Sequence, residues 1–363
     1  MQSATMRTVS LLNLQRHARW ITICILGLAA LTIVGRSPLI KQLPEPVAVP
    51  DFVRLKQFTE SIPVQSKVNL NDYPDNNMTS MKMSELKTEL EIRRKRVDDI
   101  CQIIENETSS FHTAMSKLII DTNHGLSWCP IYKVGSSTWM EHFAVLGRTF
   151  SDLTVDLIRR NILQVNIIAR QAFPNYDVET MLEKIKRTKK FLIVRHPFER
   201  ILSAYRDKLE NIDGREYYYK KFGRHITQRY RHKNASLDTR IEPSFTEFLR
   251  FIVEEKYFDE HWAPYTQTCR PCELKYDYIL KFETFKRDED FLIQELGLNK
   301  YLHTRGDVRH VNPRGPTTAM TSRKYFKNVP ELLIKKVHQV YEKDFKLFNY
   351  SPADYYGLTT KQP

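Results

Sequence analysis

The feature that most constrains this chain is a pattern that occurs twice: a short apolar run, a polar turn and a helix-forming segment. The first copy covers 128–146 and the second covers 191–206. Each copy predicts a buried strand, a loop and a helix, the unit from which parallel sheets are built. Strands are predicted near 128–132, 191–194 and 278–282. The predicted fold class is therefore α/β, with a P-loop-like parallel sheet flanked by helices.

The turn in the first copy has the composition of an anion-binding loop. The strand would direct Lys133 into the turn, and Gly135 would let a ligand approach the backbone. Residues 136–138 would supply hydroxyl groups and the first free amides of the next helix, whose positive dipole end attracts anions. The turn is not a Walker A loop, because its only glycine follows the lysine. A capped helix after a strand remains the alternative.

The second copy places an arginine where ligands bind in open α/β sheets. Arg195 directly follows the strand at 191–194, at its carboxyl end. Pro197 is suited to the start of a helix, and Ser203 lies about two turns into it. A guanidinium fork and a hydroxyl can converge on one phosphate. The alternative is that Arg195 and Arg200 are surface or ion-pair residues and Ser203 is incidental.

Together, the two segments resemble the donor-binding loops of Golgi carbohydrate sulfotransferases, a group that includes the chondroitin, dermatan, HNK-1 and N-acetylgalactosamine sulfotransferases. Lys133 to Trp139 matches the 5′-phosphosulfate loop, and Arg195 to Ser203 matches the 3′-phosphate loop. Three further stretches agree in the same order, and the matches span 125–352. These stretches are His261-Trp262 with 269–272, then 276–284, and then 322–350.

The resemblance implies a sulfotransferase fold and a 3′-phosphoadenosine 5′-phosphosulfate donor, with no metal required. Lys133 would be catalytic, because a cation at the bridging oxygen stabilises the charge that develops there. Two departures concern the acceptor: His196 stands where many members carry an acidic residue, and 135–137 differs from the vertebrate chondroitin enzymes. The residues implied to bind the donor are Lys133, Val134, Gly135, Ser136, Ser137, Thr138, Trp139, Arg195, Ser203, Arg323 and Lys324.

A general base is expected near the acceptor hydroxyl. His261 is the leading candidate and is assigned as catalytic, with His142 second. Asp259 and Glu260 are further alternatives, and a histidine beside a tryptophan also suits a packing role.

Three other functional classes are considered for this chain. A P-loop kinase lacks support, because the Walker A pattern is absent and the Arg195/Ser203 pair is present. A non-catalytic glycan-binding protein that retains the fold is not excluded, although Lys133 shows no degeneration. A structural membrane protein held by a coiled-coil stem would not explain two phosphate loops.

The charge of the chain bears on its partners. The net charge is +13 and the isoelectric point about 9.4, which suits an acidic polymer. No nucleic-acid-binding motif is present. The resemblance implies an acidic glycan or glycosaminoglycan as the acceptor, with N-acetylgalactosamine of chondroitin or dermatan chains favoured. The basic run 224–233, with tyrosines interleaved, could bind it, whereas 184–190 suits a solvated face. Nothing indicates the oligomeric state.

The N-terminal part predicts a type II membrane protein, and the resemblance implies a Golgi protein with its catalytic domain in the lumen. An uncharged apolar run is preceded and followed by arginines, which favours a signal anchor with a cytoplasmic N-terminus. A cleaved signal peptide is the alternative. The predicted parts are a cytoplasmic tail (1–19), a transmembrane anchor (20–35), a lumenal stem with an amphipathic helix (36–110), the catalytic domain (111–354) and a C-terminal tail (355–363).

Three further patterns predict helices. An apolar stripe over 86–104, interrupted by Arg93, indicates an amphipathic helix packed on the domain, with a short coiled coil as the alternative. Ser244 with Glu247 forms a capping-box pattern, and 330–346 predicts a late helix.

Four Asn-x-Ser/Thr triplets are predicted as glycosylation sites in a lumenal domain. Asn77 in the stem and Asn234 in a polar stretch are the best candidates, followed by Asn106. Asn349 is the weakest, because a proline follows its triplet.

Cysteine usage suits an oxidising compartment. Cys24 lies in the apolar run, which leaves Cys101, Cys129, Cys269 and Cys272 for disulfides. Four cysteines allow three pairings. One option joins Cys269 to Cys272 and Cys101 to Cys129, and another is a pair of long-range bridges. A zinc site lacks support, because no second C-x-x-C and no suitably spaced histidine pair are present.

Overall fold

A four-stranded sheet lies at the centre of the fold, in the order β1-β2-β3-β4. The computed structural model describes residues 80–104, 111–160, 162–231, 240–302 and 315–358. The strands are β1 (Ile119–Asp121), β2 (Leu126–Trp128), β3 (Lys189–Val194) and β4 (Tyr278–Lys281).

The predicted parallel sheet is confirmed for β2, β3 and β4. Phe191 of β3 pairs in register with Trp128 of β2 on one side and with Tyr278 of β4 on the other. β1 adds an antiparallel hairpin to β2, which the sequence pattern did not indicate. The prediction that the first strand extends to residue 132 is wrong. The strand ends at Trp128, because Pro130 lacks the N–H that a ladder needs.

Helices cover the sheet and build the rest of the domain. Short irregular turns of helix occur at Tyr219–Gly223, Phe282–Thr284 and Ala353–Tyr355. The α-helices are α1 (Ser80–Cys101), α2 (Phe111–Met115), α3 (Ser136–Leu146), α4 (Asp152–Arg159), α5 (Val165–Ala172), α6 (Val178–Ile185), α7 (Pro197–Lys208), α8 (Glu216–Tyr218), α9 (Arg224–Tyr230), α10 (Phe245–Glu255), α11 (Tyr265–Cys269), α12 (Pro271–Leu274), α13 (Phe285–Glu295), α14 (Ala319–Phe326), α15 (Glu331–Val340) and α16 (Glu342–Leu347).

Two local predictions about helices can be compared with these bounds. The capping box of α10 is confirmed: the Glu247 amide donates to Ser244 Oγ at 3.2 Å, and the Ser244 amide donates to Glu247 Oε2 at 2.7 Å. The helix predicted over 330–346 is broken at Tyr341, whose φ of −107° and ψ of 14° leave the helical region. The Tyr341 hydroxyl donates to the Trp262 carbonyl at 2.5 Å, which fixes the residue at the break.

The apolar core has two main clusters. One surrounds the sheet and contains Trp128, Trp139 and Phe191, and the other packs α7 against α10 and α15. β3 belongs to the first cluster and α7 to the second. The β3–α7 turn, which carries Arg195, therefore lies where the two clusters meet.

Both disulfides are long-range, as one of the two options predicted. Cys101 pairs with Cys272 and Cys129 pairs with Cys269, across 171 and 140 residues. The alternative Cys269–Cys272 pairing is wrong, since both residues reach back to earlier segments.

The N-terminal helix α1 is held against the domain by more than its disulfide. It buries Leu86, Leu90 and Val97 and packs against β4 and α13. Arg93, which interrupts the apolar stripe, faces the domain and pairs with Asp288 at 2.5 Å.

The predicted membrane anchor at 20–35 lies outside the described residues. Of the residues that are described, no helix is long and apolar enough to cross a bilayer.

Candidate active site

The loop between β2 and α3 has the geometry of an anion-binding turn. Lys133 and Gly135 both adopt left-handed backbone conformations, with φ of 73° and 85°. A Cβ on Gly135 would lie 2.5 Å from the ring of Phe285, so the turn requires glycine. α3 begins at Ser136, and no side chain among the described residues caps its first amides. The free N–H groups and the positive dipole end of this 11-residue helix therefore face the loop.

The Lys133 side chain turns towards the end of α7. Its Nζ lies 2.6 Å from Asp207 Oδ2. Burial lowers the pKa of Lys133, while the charge of Asp207 opposes this shift. Burial alone would raise the pKa of Asp207, but the charges of Lys133 and Lys208 outweigh it and hold that pKa well below its usual range. Asp207 is therefore ionised at neutral pH.

Arg195 is buried at the carboxyl end of β3 and contacts the lysine loop. Its Nη1 donates to the Lys133 carbonyl at 3.1 Å, and its Nη2 donates to the carbonyl of Thr317. The guanidinium lies over the ring of Phe282, 4.4 Å from its centroid. Nε lies 3.6 Å from a Glu199 oxygen and makes no hydrogen bond within the described part of the chain. Arg195 thus joins the two loops, and its Nε faces the Glu199 carboxylate.

The other residues predicted to hold the 3′-phosphate lie on α7 and α14. Ser203 is buried on α7, one turn before Asp207. Arg323 lies 3.6 Å from the exposed Asp354, and Lys324 is exposed on the same helix. Burial raises the pKa of Glu199, and the charges of Arg195 and Arg323 oppose that shift. The charge of Arg323 therefore acts in the neighbourhood of Arg195.

His261 forms a buried pair with Asp259. Its Nδ1 lies 2.5 Å from Asp259 Oδ1, while Lys221 Nζ lies 3.1 Å from the other carboxylate oxygen. An ionised carboxylate can only accept, so Nδ1 carries the proton and Nε2 is left as an acceptor. The imidazole stacks on the ring of Tyr132, and the ring centroids are 4.8 Å apart. Tyr132 is the residue directly before Lys133 in the sequence.

The electrostatics keep this imidazole neutral. Burial lowers the pKa of His261 to about 4, the charges of Lys208 and Lys133 act in the same direction, and Asp259 opposes them. Near neutral pH, His261 therefore offers an unprotonated Nε2, as a general base requires.

Three candidate residues have packing roles in this structure. Val134 is fully buried, and the Trp139 indole lies 4.4 Å from the ring of Phe191 in the sheet cluster. Both side chains pack into the core, so it is the backbone of these residues that can face a ligand, and their assignment to the donor site stays a prediction. His142, the second candidate base, is bonded at 3.0 Å to the buried Glu289.

Sequence reasoning missed the role of Arg200. This residue is 1% exposed and Arg195 is 3% exposed, so the alternative that they are surface residues is wrong. The ion-pair part of that alternative holds for Arg195, whose Nε lies 3.6 Å from Glu199. Arg200 donates to the carbonyls of Tyr132 at 3.0 Å, Ala263 at 2.7 Å and Glu260 at 3.3 Å. Arg200 thereby ties the lysine loop to the His261 segment. The sequence did offer one indication of this role, because Arg200 lies within the second loop, Arg195 to Ser203.

Asn349 is the one predicted glycosylation site that the described residues include. It is exposed and has a φ of 53°. Asn77, Asn106 and Asn234 lie outside the described residues, so all four remain predictions.

Comparison with known proteins gives this geometry a family. A profile of the sulfotransferase family matches residues 116–351, which include both loops and His261. No solved structure shows a significant match.

Three similar proteins share much of the chain. Carbohydrate sulfotransferase 11 of Mus musculus is 29% identical over 290 residues, covering 74% of this chain and 78% of its own length. Carbohydrate sulfotransferase 14 of Danio rerio is 30% identical, covering 66% of this chain and 63% of its own. Carbohydrate sulfotransferase 8 of Homo sapiens is 31% identical, covering 67% of this chain and 58% of its own length. This chain therefore belongs to the sulfotransferase family and is an enzyme of the carbohydrate O-sulfotransferase kind.

Proposed function

We propose that this enzyme transfers a sulfuryl group from 3′-phosphoadenosine 5′-phosphosulfate to a hydroxyl of an acidic glycan, with N-acetylgalactosamine of chondroitin or dermatan chains as the acceptor. The observation that carries the proposal is the contact between Arg195 and the Lys133 carbonyl, at 3.1 Å. It joins two anion-binding elements beside the neutral His261.

The donor spans both loops in this proposal. The 5′-phosphosulfate lies at the start of α3, where the amides of 136–138 would bind it and the Lys133 ammonium would reach its bridging oxygen. The 3′-phosphate binds the Arg195 guanidinium and the hydroxyl of Ser203, with Arg323 and Lys324 adding positive charge.

The reaction then follows from the placed groups. The acceptor oxygen attacks sulfur while the bond from sulfur to the 5′-phosphate oxygen breaks, so the sulfuryl group moves in line. The hydroxyl proton passes to His261 Nε2, and the bisphosphate nucleotide leaves. Negative charge grows on the leaving oxygen, where Lys133 stabilises the transition state more than the ground state.

An acidic sugar suits the surroundings of His261. The Tyr218 ring meets the imidazole edge-on at 5.6 Å, and Lys208 Nζ lies 4.7 Å from the Tyr218 centroid. Lys221 pairs with Asp259, the residue bonded to His261, at 3.1 Å. Aromatic faces pack against sugar rings and ammonium groups pair with carboxylates, so this face offers both kinds of contact.

We also propose that the enzyme is a single-pass type II protein of the Golgi membrane with a lumenal catalytic domain. The apolar run at 20–35 and its flanking arginines support this topology. The two disulfides suit an oxidising lumen.

The test uses the full chain, purified in a mild detergent, with sulfur-labelled donor and a panel of desulfated glycans. Lys133→Ala is compared with Lys186→Ala, which alters an exposed lysine that pairs with Glu183 on the surface. We expect label on chondroitin or dermatan, lost only in Lys133→Ala. Donor binding without transfer would indicate a glycan-binding protein, and transfer to neutral glycans alone would refute the acidic acceptor. Absence of donor binding in the wild type would refute the proposed function.

A further inference from the structure

We propose that Asp207 is a positioning residue for Lys133: its carboxylate holds the ammonium in place and in the charged form before the donor binds. The inference rests on the proposed function, in which Lys133 acts on the donor. Lys133 Nζ lies 2.6 Å from Asp207 Oδ2, and 74 residues separate the two along the chain. An ammonium has three N–H groups that can donate hydrogen bonds. The bond to Asp207 uses one of them and leaves two for the phosphosulfate nucleotide.

Lys133 needs such a partner because of where it lies. Its side chain is 19% exposed, and desolvation favours the neutral amine. A neutral amine could not stabilise the charge on a leaving oxygen. The Asp207 charge is the main influence that opposes deprotonation.

Asp207 is itself held rigidly. Arg215 Nη2 donates to Asp207 Oδ1 at 2.9 Å, and Arg215 Nε donates to the Asp207 backbone carbonyl at 2.7 Å. The two carboxylate oxygens are thus divided: Oδ1 serves Arg215 and Oδ2 serves Lys133. Lys208 Nζ lies 3.2 Å from Oδ2 as well. The carboxylate cannot swing away without breaking bonds at both oxygens.

Asp207 also relates the two ends of the donor site. It lies on α7 one turn after Ser203, and Arg195 precedes the same helix. A single helix therefore connects the proposed 3′-phosphate contacts, which lie before its start and near its middle, with the Lys133 anchor in its last turn. The charged or titratable groups that act on Lys133 are Asp207 and Lys208 on α7, Arg195 on the preceding turn, and His261 across the site.

The experiment measures the pH profile of sulfotransfer by the full chain at saturating acceptor. Asp207→Asn removes the charge, Asp207→Glu keeps it but moves it by one methylene, and Asp156→Asn is the matched control at an exposed ion pair. In Asp207→Asn we expect the alkaline limb of the kcat/KM profile to move to lower pH by about one unit or more. At pH values above the shifted limb, kcat/KM should be about tenfold lower than in the wild type. Asp207→Glu should keep the wild-type limb and lose kcat, and the control should match the wild type.

The results separate positioning from a merely structural role. A loss of activity in Asp207→Asn that is equal at every pH, with an unmoved alkaline limb, would overturn the inference. If Asp207→Asn does not fold, Asp207→Glu decides: wild-type kcat would overturn the inference, and a lower kcat with an unmoved limb would support it. Failure of the wild type to bind nucleotide or transfer sulfate would instead refute the proposed function.

Discussion

Replacing Arg93 with methionine should destabilise the domain, because Arg93 is the main partner that α1 offers to a fully buried carboxylate. Asp288 is 0% exposed, and the Arg93 side chain is 12% exposed. Removing one partner of a buried ion pair costs about 3–5 kcal/mol. Asp288 keeps the Lys281 amide and the Thr284 hydroxyl, both at 2.9 Å, and Arg287 at 3.0 Å. We therefore expect the lower end, about 3 kcal/mol.

The neighbouring residue supplies a matched control. Arg94 lies 3.7 Å from Asp98, and both side chains are nearly half exposed. Arg94→Met should therefore change the free energy of unfolding by about 0.5 kcal/mol or less. The assay is urea unfolding of the full chain in detergent with its disulfides intact, followed by tryptophan fluorescence. Equal unfolding free energies for Arg93→Met and Arg94→Met would show that the buried pair does not hold α1.

Four further outcomes are expected. His261→Gln should lower kcat by about 10²–10⁴ and leave donor affinity unchanged, measured by kinetics and nucleotide titration; unchanged kcat would exclude it as the base. The unfolded state binds a proton at His261 near pH 6.5 and the native state near pH 4, so stability should fall as the pH drops across that window, and melting curves of His261→Gln should show a shallower fall. Gly135→Ala should destabilise by more than about 1 kcal/mol and weaken donor binding, whereas Gly297→Ala, where the added Cβ meets nothing within 4 Å, should leave donor binding intact; equal donor affinities in the two would contradict the tight-turn argument. Replacing Cys129 and Cys269 by serine should lower the free energy of unfolding by about 2–5 kcal/mol, and an unchanged melting temperature would refute this prediction.

Local patterns carried most of the prediction. The β3 strand, the Pro197 helix start and the Ser244 capping box follow from residues within a few positions of one another, and each was found. The lysine loop was also placed, although Pro130 ended its strand early.

Long-range pairing was what the sequence could not supply. Arg93 interrupts an apolar stripe, which suggests an exposed residue; its partner Asp288 lies 195 positions away. No local sequence pattern around Asp207 indicates its contact with Lys133, because that contact depends on the turn that brings Lys133 back to α7. Trp139 was assigned to the ligand because it adjoins the loop, but the helix turns its side chain into the core.

The disulfide connectivity has a consequence for biosynthesis. Cys101 and Cys129 emerge from the ribosome 171 and 140 residues before their partners. At about 5–20 residues per second, each waits on the order of ten seconds or more, and in the proposed lumenal location it does so in an oxidising environment. During that time the nearest available thiol for each is the other, so a premature crosslink between them is the kinetically favoured product. Reaching the native bridges then requires thiol–disulfide exchange, and we expect the yield of folded enzyme to depend on the isomerase capacity of the host cell.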